Sequence, residues 1–210
     1  MINHIKQYFN KKKLTNPKYE YLFDKYEGDE LICFDCETTG LNPKIDDIIS
    51  IGAVKIKGNN IDLQNKFERF VKPKNAAMAS DAIKIHHIRE VDLINAEDID
   101  DVIEEFLDFV GNRPIVGYYL EFDIAMVNKY IKPKIGIKLP NQANEVSSIY
   151  YDKVSKYHSI DIDLKFKSIM NNLDLPFMKA HDATNDAIMT ALIYIKLKNT
   201  NIVNVKNIRH

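Results

Sequence analysis

The sequence is poor in the residues that mark several classes of protein. Its 210 residues include two cysteines, seven glycines, seven prolines and no tryptophan, and the formal net charge is only −1. With 45% hydrophobic and 28% charged residues, the composition is that of an ordinary globular protein, which excludes the fibrous and disordered classes. The near-neutral charge argues against a protein that coats nucleic acid.

Long apolar runs are also absent. The longest uncharged one, Ala187–Ile195, is much shorter than the roughly 18 residues that a membrane-spanning helix requires. The first residues, MINHIKQYFNKKKL, place lysines in the middle of the segment and contain no apolar core, unlike a secretory signal. We therefore expect a cytoplasmic protein that does not contact membranes.

The two cysteines form a C-x-x-C motif, which is found in redox centres and in half of many zinc sites. Cys33 and Cys36 lie within the strand-like run LICFDCE, whose alternation places them on opposite faces. No second cysteine pair is present to complete a zinc site. We interpret both as small buried hydrophobic residues.

Charge divides the chain unevenly. Residues 1–28 contain six lysines and three acids. We interpret them as an N-terminal extension, which could be either a flexible arm or a docked helix. Residues 91–112 contain eight acids and no lysine or arginine. An acidic face separated from a mildly basic body is compatible with a phosphate-bearing substrate. We expect one domain over 29–200 and a polar tail over 201–210.

Hydrophobic periodicity predicts an α/β domain with helices packed on a mixed sheet. Three successive strands, LICFD, IISIGAVKI and KFERFVKP, suggest an antiparallel meander. Residues 95–111 then change to a helical period, and PIVGYY is a further strand. The helix EFDIAMVNKYI that follows should stop at Lys132-Pro133. Other helices are predicted near 146–154, over 163–173 and over 182–199.

Asp35 and Glu37 lie two residues apart at the end of the first strand, in FDCETTG. The strand period of two directs both carboxylates to one face. Adjacent carboxylates repel each other and usually require a cation, for which Mg²⁺ or Mn²⁺ is the natural candidate. A solvated strand end that leads into a turn is the alternative for this motif taken alone.

Three further residues could contribute to such a site. Asp123 lies in the first turn of a predicted helix, where an acid also offsets the helix dipole without any other role. His181 and Asp186 occur in KAHDATNDA. Five residues on a helix correspond to a rotation of about 500°, so we expect His181 in the loop before the helix and Asp186 in its first or second turn. The alternatives are that His181 is a surface loop residue and that Asp186 lies on a solvated helix face. Asp182 could instead be an N-cap.

As a set, the order D-x-E, F-D and H-x-x-x-x-D resembles the DEDD exonuclease superfamily, and the histidine position marks the DEDDh subgroup. The resemblance is greatest to the exonuclease domain of the epsilon proofreading subunit of bacterial DNA polymerase III. It runs from about residue 29 to 198 and includes FDCETTGL, IISIGAVKI, IHHIREVDL, FDIAMVNKYI and HDATNDA. It implies a ribonuclease H-like fold, in which 29–200 form an exonuclease domain.

The resemblance also implies roles for individual residues. Two divalent metals, Mg²⁺ or Mn²⁺, would be bound by Asp35, Glu37, Asp123 and Asp186, and His181 would be the general base that activates a water. Main-chain groups of Thr38, Thr39 and Gly40 would border the terminal nucleotide, with Leu41 against its base. Tyr119 stands where the family's N-x-x-F-D motif has asparagine, and its hydroxyl can still donate a hydrogen bond.

The activity implied is a metal-dependent 3′→5′ exonuclease that acts on DNA 3′ ends, preferably single-stranded, and releases nucleoside 5′-monophosphates. A DEDDh ribonuclease acting on RNA 3′ ends or short oligoribonucleotides is one alternative. A non-catalytic module that binds nucleic acid or a polymerase is another. Because only 24 residues follow Asp186, we expect a stand-alone nuclease, or one recruited differently from a replicative proofreading subunit by a polymerase or repair partner.

Overall fold

The computed structural model describes residues 10–74, 88–156 and 161–200. Its centre is a six-stranded sheet in the order β4-β3-β2-β1-β5-β6. The strands are β1 (Glu30–Thr38), β2 (Ile48–Lys57), β3 (Asn60–Lys72), β4 (Glu97–Asp98), β5 (Ile115–Gly117) and β6 (Ala143–Glu145). The helices are α1 (Ile99–Val110), α2 (Leu120–Ile135), α3 (Val146–Val154), α4 (Phe166–Asn172) and α5 (Ala183–Asn199).

The sheet is mixed, as predicted. Strands β1, β2 and β3 form an antiparallel meander, while β5 pairs parallel to β1 and β6 pairs parallel to β5. The short strands β4 and β6 were missed, because their sequences, ED and ANE, are polar and contain no apolar run such as the one that marks β5. The fold is the ribonuclease H-like α/β arrangement that the resemblance implied.

Helices cover both faces of the sheet, and the alternation of β1 divides the core between them. Phe34 and Cys36 belong to the cluster that includes α1 and α2, whereas Cys33 belongs to the cluster that includes α3, α4 and α5. Both cysteines are buried free thiols on opposite faces, as expected. No helix within the described ranges is long and apolar enough to cross a membrane.

The predicted end of α2 at Lys132-Pro133 is wrong. The helix continues through Pro133 to Ile135, although a proline removes one hydrogen bond and crowds the preceding turn, because Ile131 and Ile135 are buried in the core on either side of it. The helix ends at Gly136, which has a left-handed φ of 80° and whose N–H donates to the Lys132 carbonyl. A side chain at this position would overlap with the backbone of Lys13.

Residues 10–28 pack on the domain. For this part of the N-terminal extension, a docked arrangement is therefore observed and not a flexible arm. Within a 3₁₀ helix, Pro17–Phe23, Tyr19 and Leu22 are buried in the core beside α1. The Lys18 ammonium lies 3.2 Å from the Asp108 carboxylate, and the Tyr21 hydroxyl donates to Asp108 as well. Lys18 therefore offsets part of the acidic face of α1.

Candidate active site

Two carboxylates lie where β1 leaves the core. Asp35 retains partial exposure and Glu37 is buried; the strand period directs both toward the face that α5 covers. Asp123 reaches the same place from the first turn of α2, and the Cys36 N–H donates to its carboxylate at 3.1 Å. Because β1 and β5 are parallel neighbours, the helix that follows β5 begins at the end of β1.

Asp186 is brought to these carboxylates by a close approach of α5 to the sheet. In the ladder, Asp35 is paired with Gly52 of β2, and a methyl group at Gly52 would overlap with the backbone of Thr184. Only a glycine lets α5 begin directly above this point. A glycine inside a strand is a sequence signal of such an approach, and it could have been used.

His181 lies in the loop before α5 and is exposed, as the spacing predicted. Its backbone N–H donates to the Asp186 carboxylate at 3.0 Å. One ligand atom from each of Glu37, His181 and Asp186 lies within 4.8 Å of the others. Asp182 is the N-cap of α5 and accepts from the Asn185 N–H.

Burial raises the pKa of each of these four acids, and for three of them another acid of the four adds to the effect. Burial, with the neighbouring acids, raises the pKa of Glu37 to about 7, and burial raises that of Asp186 to about 6 against the opposing hydrogen bond from His181. Burial also holds the pKa values of Asp35 and Asp123 well above their ordinary range. Repulsion by Asp123 adds to the effect on Asp35, and repulsion by Glu37 adds to the effect on Asp123. These four side chains form the carboxylate cluster.

The carboxylate cluster fits divalent cations. Four hard oxygen donors, with an imidazole beside them, are a donor set that Mg²⁺ and Mn²⁺ accept. A bound cation would replace the mutual repulsion of the acids by attraction. The group of Glu37, His181 and Asp186 is already close enough to hold one ion.

We expect the metal-free protein to be more stable at pH 5.5 than at pH 8. A carboxyl group whose pKa is raised by folding stabilises the fold while protonated, and this contribution is lost as pH rises through the folded-state pKa. For Glu37 and Asp186 the loss runs from their ordinary pKa values of 4.5 and 3.8 up to the folded-state values of about 7 and about 6, so part of it lies between pH 5.5 and pH 8. Thermal unfolding in EDTA at both pH values measures the difference, which Mn²⁺ at pH 8 should remove. Equal melting temperatures in EDTA would contradict the clustering.

The residues that the resemblance places around the terminal nucleotide differ in accessibility. Thr38 and Thr39 are buried, and their hydroxyls donate to the Gly40 carbonyl and to Asp46. The Thr39 N–H donates to the Asp47 carbonyl. Leu41 is 83% exposed. Tyr119 is exposed, has a left-handed φ of 54°, and stacks on Phe122 with ring centroids 6.0 Å apart.

Sequence reasoning missed the side chains that hold the loop between β1 and β2, residues 39–47. The Lys129 ammonium of α2 donates to the Asp46 carbonyl and to the Asp47 carboxylate, both at 2.7 Å. The Tyr130 hydroxyl donates to the same carboxylate at 2.8 Å. These contacts join residues more than 80 positions apart, so no local pattern announces them.

A second missed residue is Glu145, at the end of β6. Its carboxylate accepts from the Leu120 N–H at 2.8 Å and from the N–H and hydroxyl of Ser147. It therefore caps α3 and also supplies α2 with the cap that Tyr119, without a capping hydrogen bond, does not provide. Glutamate is not among the residues that usually mark an N-cap, so no sequence signal announced either role.

Comparison with known proteins finds sequence relatives that are named for DNA polymerase III. The epsilon subunit of DNA polymerase III from Aquifex aeolicus is 28% identical over 186 residues, 87% of this chain and 87% of that protein. A PolC-type DNA polymerase III from Caldanaerobacter subterraneus subsp. tengcongensis is 32% identical over 171 residues. This match covers 80% of the chain but only 11% of the polymerase.

A solved structure has the same fold. The crystal structure of cell-death related nuclease 4 superposes with a TM-score of 0.71 at 20% identity, over 82% of this chain and 64% of that one. The model of the exonuclease family, RNase_T, matches residues 32–194, which is most of the sequence. The chain therefore belongs to the exonuclease family, and its domain is that of a hydrolytic nuclease.

Proposed function

We propose that this protein is a metal-dependent 3′→5′ exonuclease that removes nucleoside 5′-monophosphates from DNA, preferably from single-stranded 3′ ends. The observation that carries the proposal is the convergence of Asp35, Glu37, Asp123 and Asp186, whose pKa values are all raised, chiefly by burial. DNA is proposed as the substrate because the relatives described above are named for DNA polymerase III.

The four carboxylates would hold two divalent cations. When bound, such ions stabilise negative charge on the attacking and leaving oxygens of an in-line phosphoryl displacement. Asp123 is kept in place by the Cys36 N–H, and Asp186 by the His181 N–H. These donors orient the carboxylates before any ligand arrives, which reduces the cost of assembling the site.

His181 is proposed as the general base. Its side chain is exposed at the cluster, where it can take the proton of an attacking water. The backbone of this residue is held by Asp186, so the imidazole has a defined attachment point although it lies in a loop. An imidazole suits proton transfer near neutral pH.

The loop over Thr39–Asp47 is proposed to receive the 3′-terminal nucleotide. Main-chain groups of Thr38, Thr39 and Gly40 would border its sugar, and the exposed Leu41 would lie against its base. The anchoring of the loop by Lys129 supports a rigid subsite. Tyr119 lines a neighbouring cavity of about 500 Å³ together with Glu145. We propose that it contacts the substrate through its hydroxyl.

A 5′-labelled single strand should shorten as a ladder in the presence of Mn²⁺, because a site that holds the 3′ end removes one nucleotide at a time. A 3′-phosphate should slow the reaction, and a circular strand should remain intact. Gel electrophoresis of a time course, with RNA of the same sequence in parallel, measures all three expectations. Early internal cuts or cleavage of the circle would identify an endonuclease instead.

A further inference from the structure

A buried ion pair joins α2 to the Thr39–Asp47 loop. The Lys129 ammonium donates to the Asp46 carbonyl and to the Asp47 carboxylate, both at 2.7 Å. The Asp47 side chain is only 2% exposed, while that of Lys129 is 25% exposed. The Tyr130 hydroxyl donates to the same carboxylate at 2.8 Å. Two successive residues of α2 therefore hold one buried carboxylate, and we call Asp47, Lys129 and Tyr130 the Asp47 anchor.

The Asp47 anchor is linked through the backbone to the end of β1. The Thr39 N–H donates to the Asp47 carbonyl at 2.9 Å, and the Asp47 N–H donates to the Thr39 hydroxyl at 3.0 Å. Just before Thr39, the ladder between β1 and β2 shifts register between Glu37 and Thr38. Such a bulge bends a strand and redirects its side chains. The anchor therefore holds the chain at the point where Glu37 enters the carboxylate cluster.

The helix that supplies the anchor also supplies part of the carboxylate cluster. Asp123 lies in the first turn of α2, and the Cys36 N–H of β1 donates to its carboxylate. The Lys129 contacts come from a later turn of the same helix. Because α2 is one rigid element, its two contacts set the position of the loop relative to the cluster.

An ion pair of this kind contributes geometry more than stability. The desolvation of two buried charges cancels most of their attraction, and apolar side chains of similar size often stabilise a fold equally well. Hydrogen bonds, in contrast, weaken steeply when their donors and acceptors are misaligned, so they restrict the positions of the atoms that they join. The location of the anchor, between α2 and a loop that borders the cluster, is that of a positioning device.

We infer that Lys129 is a positioning residue for the exonuclease reaction. Through Asp47 it holds the end of β1, and the loop that receives the 3′-terminal nucleotide, in register with the carboxylate cluster. This inference rests on the proposed function. It assigns to Lys129 no contact with the reacting atoms.

The first variant is Lys129→Met, which removes the charge and keeps a long side chain. We expect kcat/KM to fall by about ten- to hundredfold, because a misplacement of about 1 Å costs up to about a hundredfold in rate. The loss should be equal on a single-stranded oligonucleotide and on the p-nitrophenyl ester of thymidine 5′-monophosphate, since both present a terminal nucleotide. Lys129→Arg keeps a cationic donor and should recover most of the activity.

Lys134→Met is the matched control. Lys134 lies on the same helix, is 24% exposed and forms an ion pair of the same length, 2.7 Å, with Glu104 of α1. Its replacement removes an equally short ion pair that does not involve the loop. The value of kcat/KM should therefore stay within about twofold of that of the parent protein, as expected for an ion pair with an exposed partner.

A double variant, Lys129→Met with Asp47→Asn, separates positioning from stability. Lys129→Met alone leaves the buried Asp47 carboxylate without its ammonium, which should lower the melting temperature. The double variant buries no such charge, and asparagine still accepts from the Tyr130 hydroxyl. Its melting temperature should therefore return toward that of the parent protein, whereas kcat/KM should stay low because the ammonium that held the loop is absent.

Recovery of both properties in the double variant would show that Lys129 affects activity only through stability. That result, or parental kcat/KM in Lys129→Met well below its melting temperature, would overturn the positioning role and leave the exonuclease assignment standing. A parent protein that hydrolyses neither substrate would instead overturn the proposed function, and the positioning role with it.

Discussion

Asp35→Asn should reduce hydrolysis of DNA below detection while leaving the fold intact. The substitution removes one anionic oxygen ligand from the carboxylate cluster, and an amide cannot supply the charge that holds a divalent cation. EDTA should abolish the activity of the parent protein, and Mg²⁺ or Mn²⁺ should restore it. Hydrolysis of a 5′-labelled strand, followed over a range of Mn²⁺ concentrations, measures the effect.

The same variant should be more stable than the parent protein in EDTA at pH 8. Burial and the other three acids hold the pKa of Asp35 well above its ordinary range, so its charged form destabilises the folded state. Each kcal/mol of relieved repulsion should raise the melting temperature by about 2–4 °C. Asp152→Asn, an exposed position on α3, is the control and should change neither property. Undiminished turnover by Asp35→Asn would overturn the two-metal assignment.

His181→Ala should lower turnover by about 10²–10⁴-fold, the range typical of a lost general base. DNA affinity and the Mn²⁺ concentration needed for half-maximal activity should stay close to those of the parent protein. The acid limb of the pH–rate profile that belongs to the base should disappear as well. Steady-state kinetics between pH 5.5 and 9 supply these measurements.

The matched variant is His181→Asn, because His181 has a left-handed φ of 59° that asparagine adopts more readily than alanine. It should keep the stability of the parent protein and show the same loss of turnover. Recovery of activity at high Mn²⁺ would make His181 a metal ligand, which its distance of at most 4.8 Å from ligand atoms of Glu37 and Asp186 allows. Parental turnover with an unchanged acid limb would reduce His181 to a loop residue.

Much of the fold and part of the candidate site could be predicted because they depend on neighbours along the chain. The two-residue period of β1 directs Asp35 and Glu37 to one face, and the helical period over 99–110 identifies the buried side of α1. The spacing in KAHDATNDA separates a loop histidine from a helical aspartate. The motif order then led to the exonuclease family, which the family match over residues 32–194 confirms.

Only the tertiary structure decided how these pieces meet, because strand pairing and packing join residues far apart in the chain. Parallel pairing of β1 and β5 brings Asp123 to the Cys36 N–H, and the absence of a side chain at Gly52 lets α5 approach β1. The Lys129 contacts that hold the Thr39–Asp47 loop likewise depend on packing. Local periodicity determined the elements and their faces, whereas close contact between distant backbones determined the site.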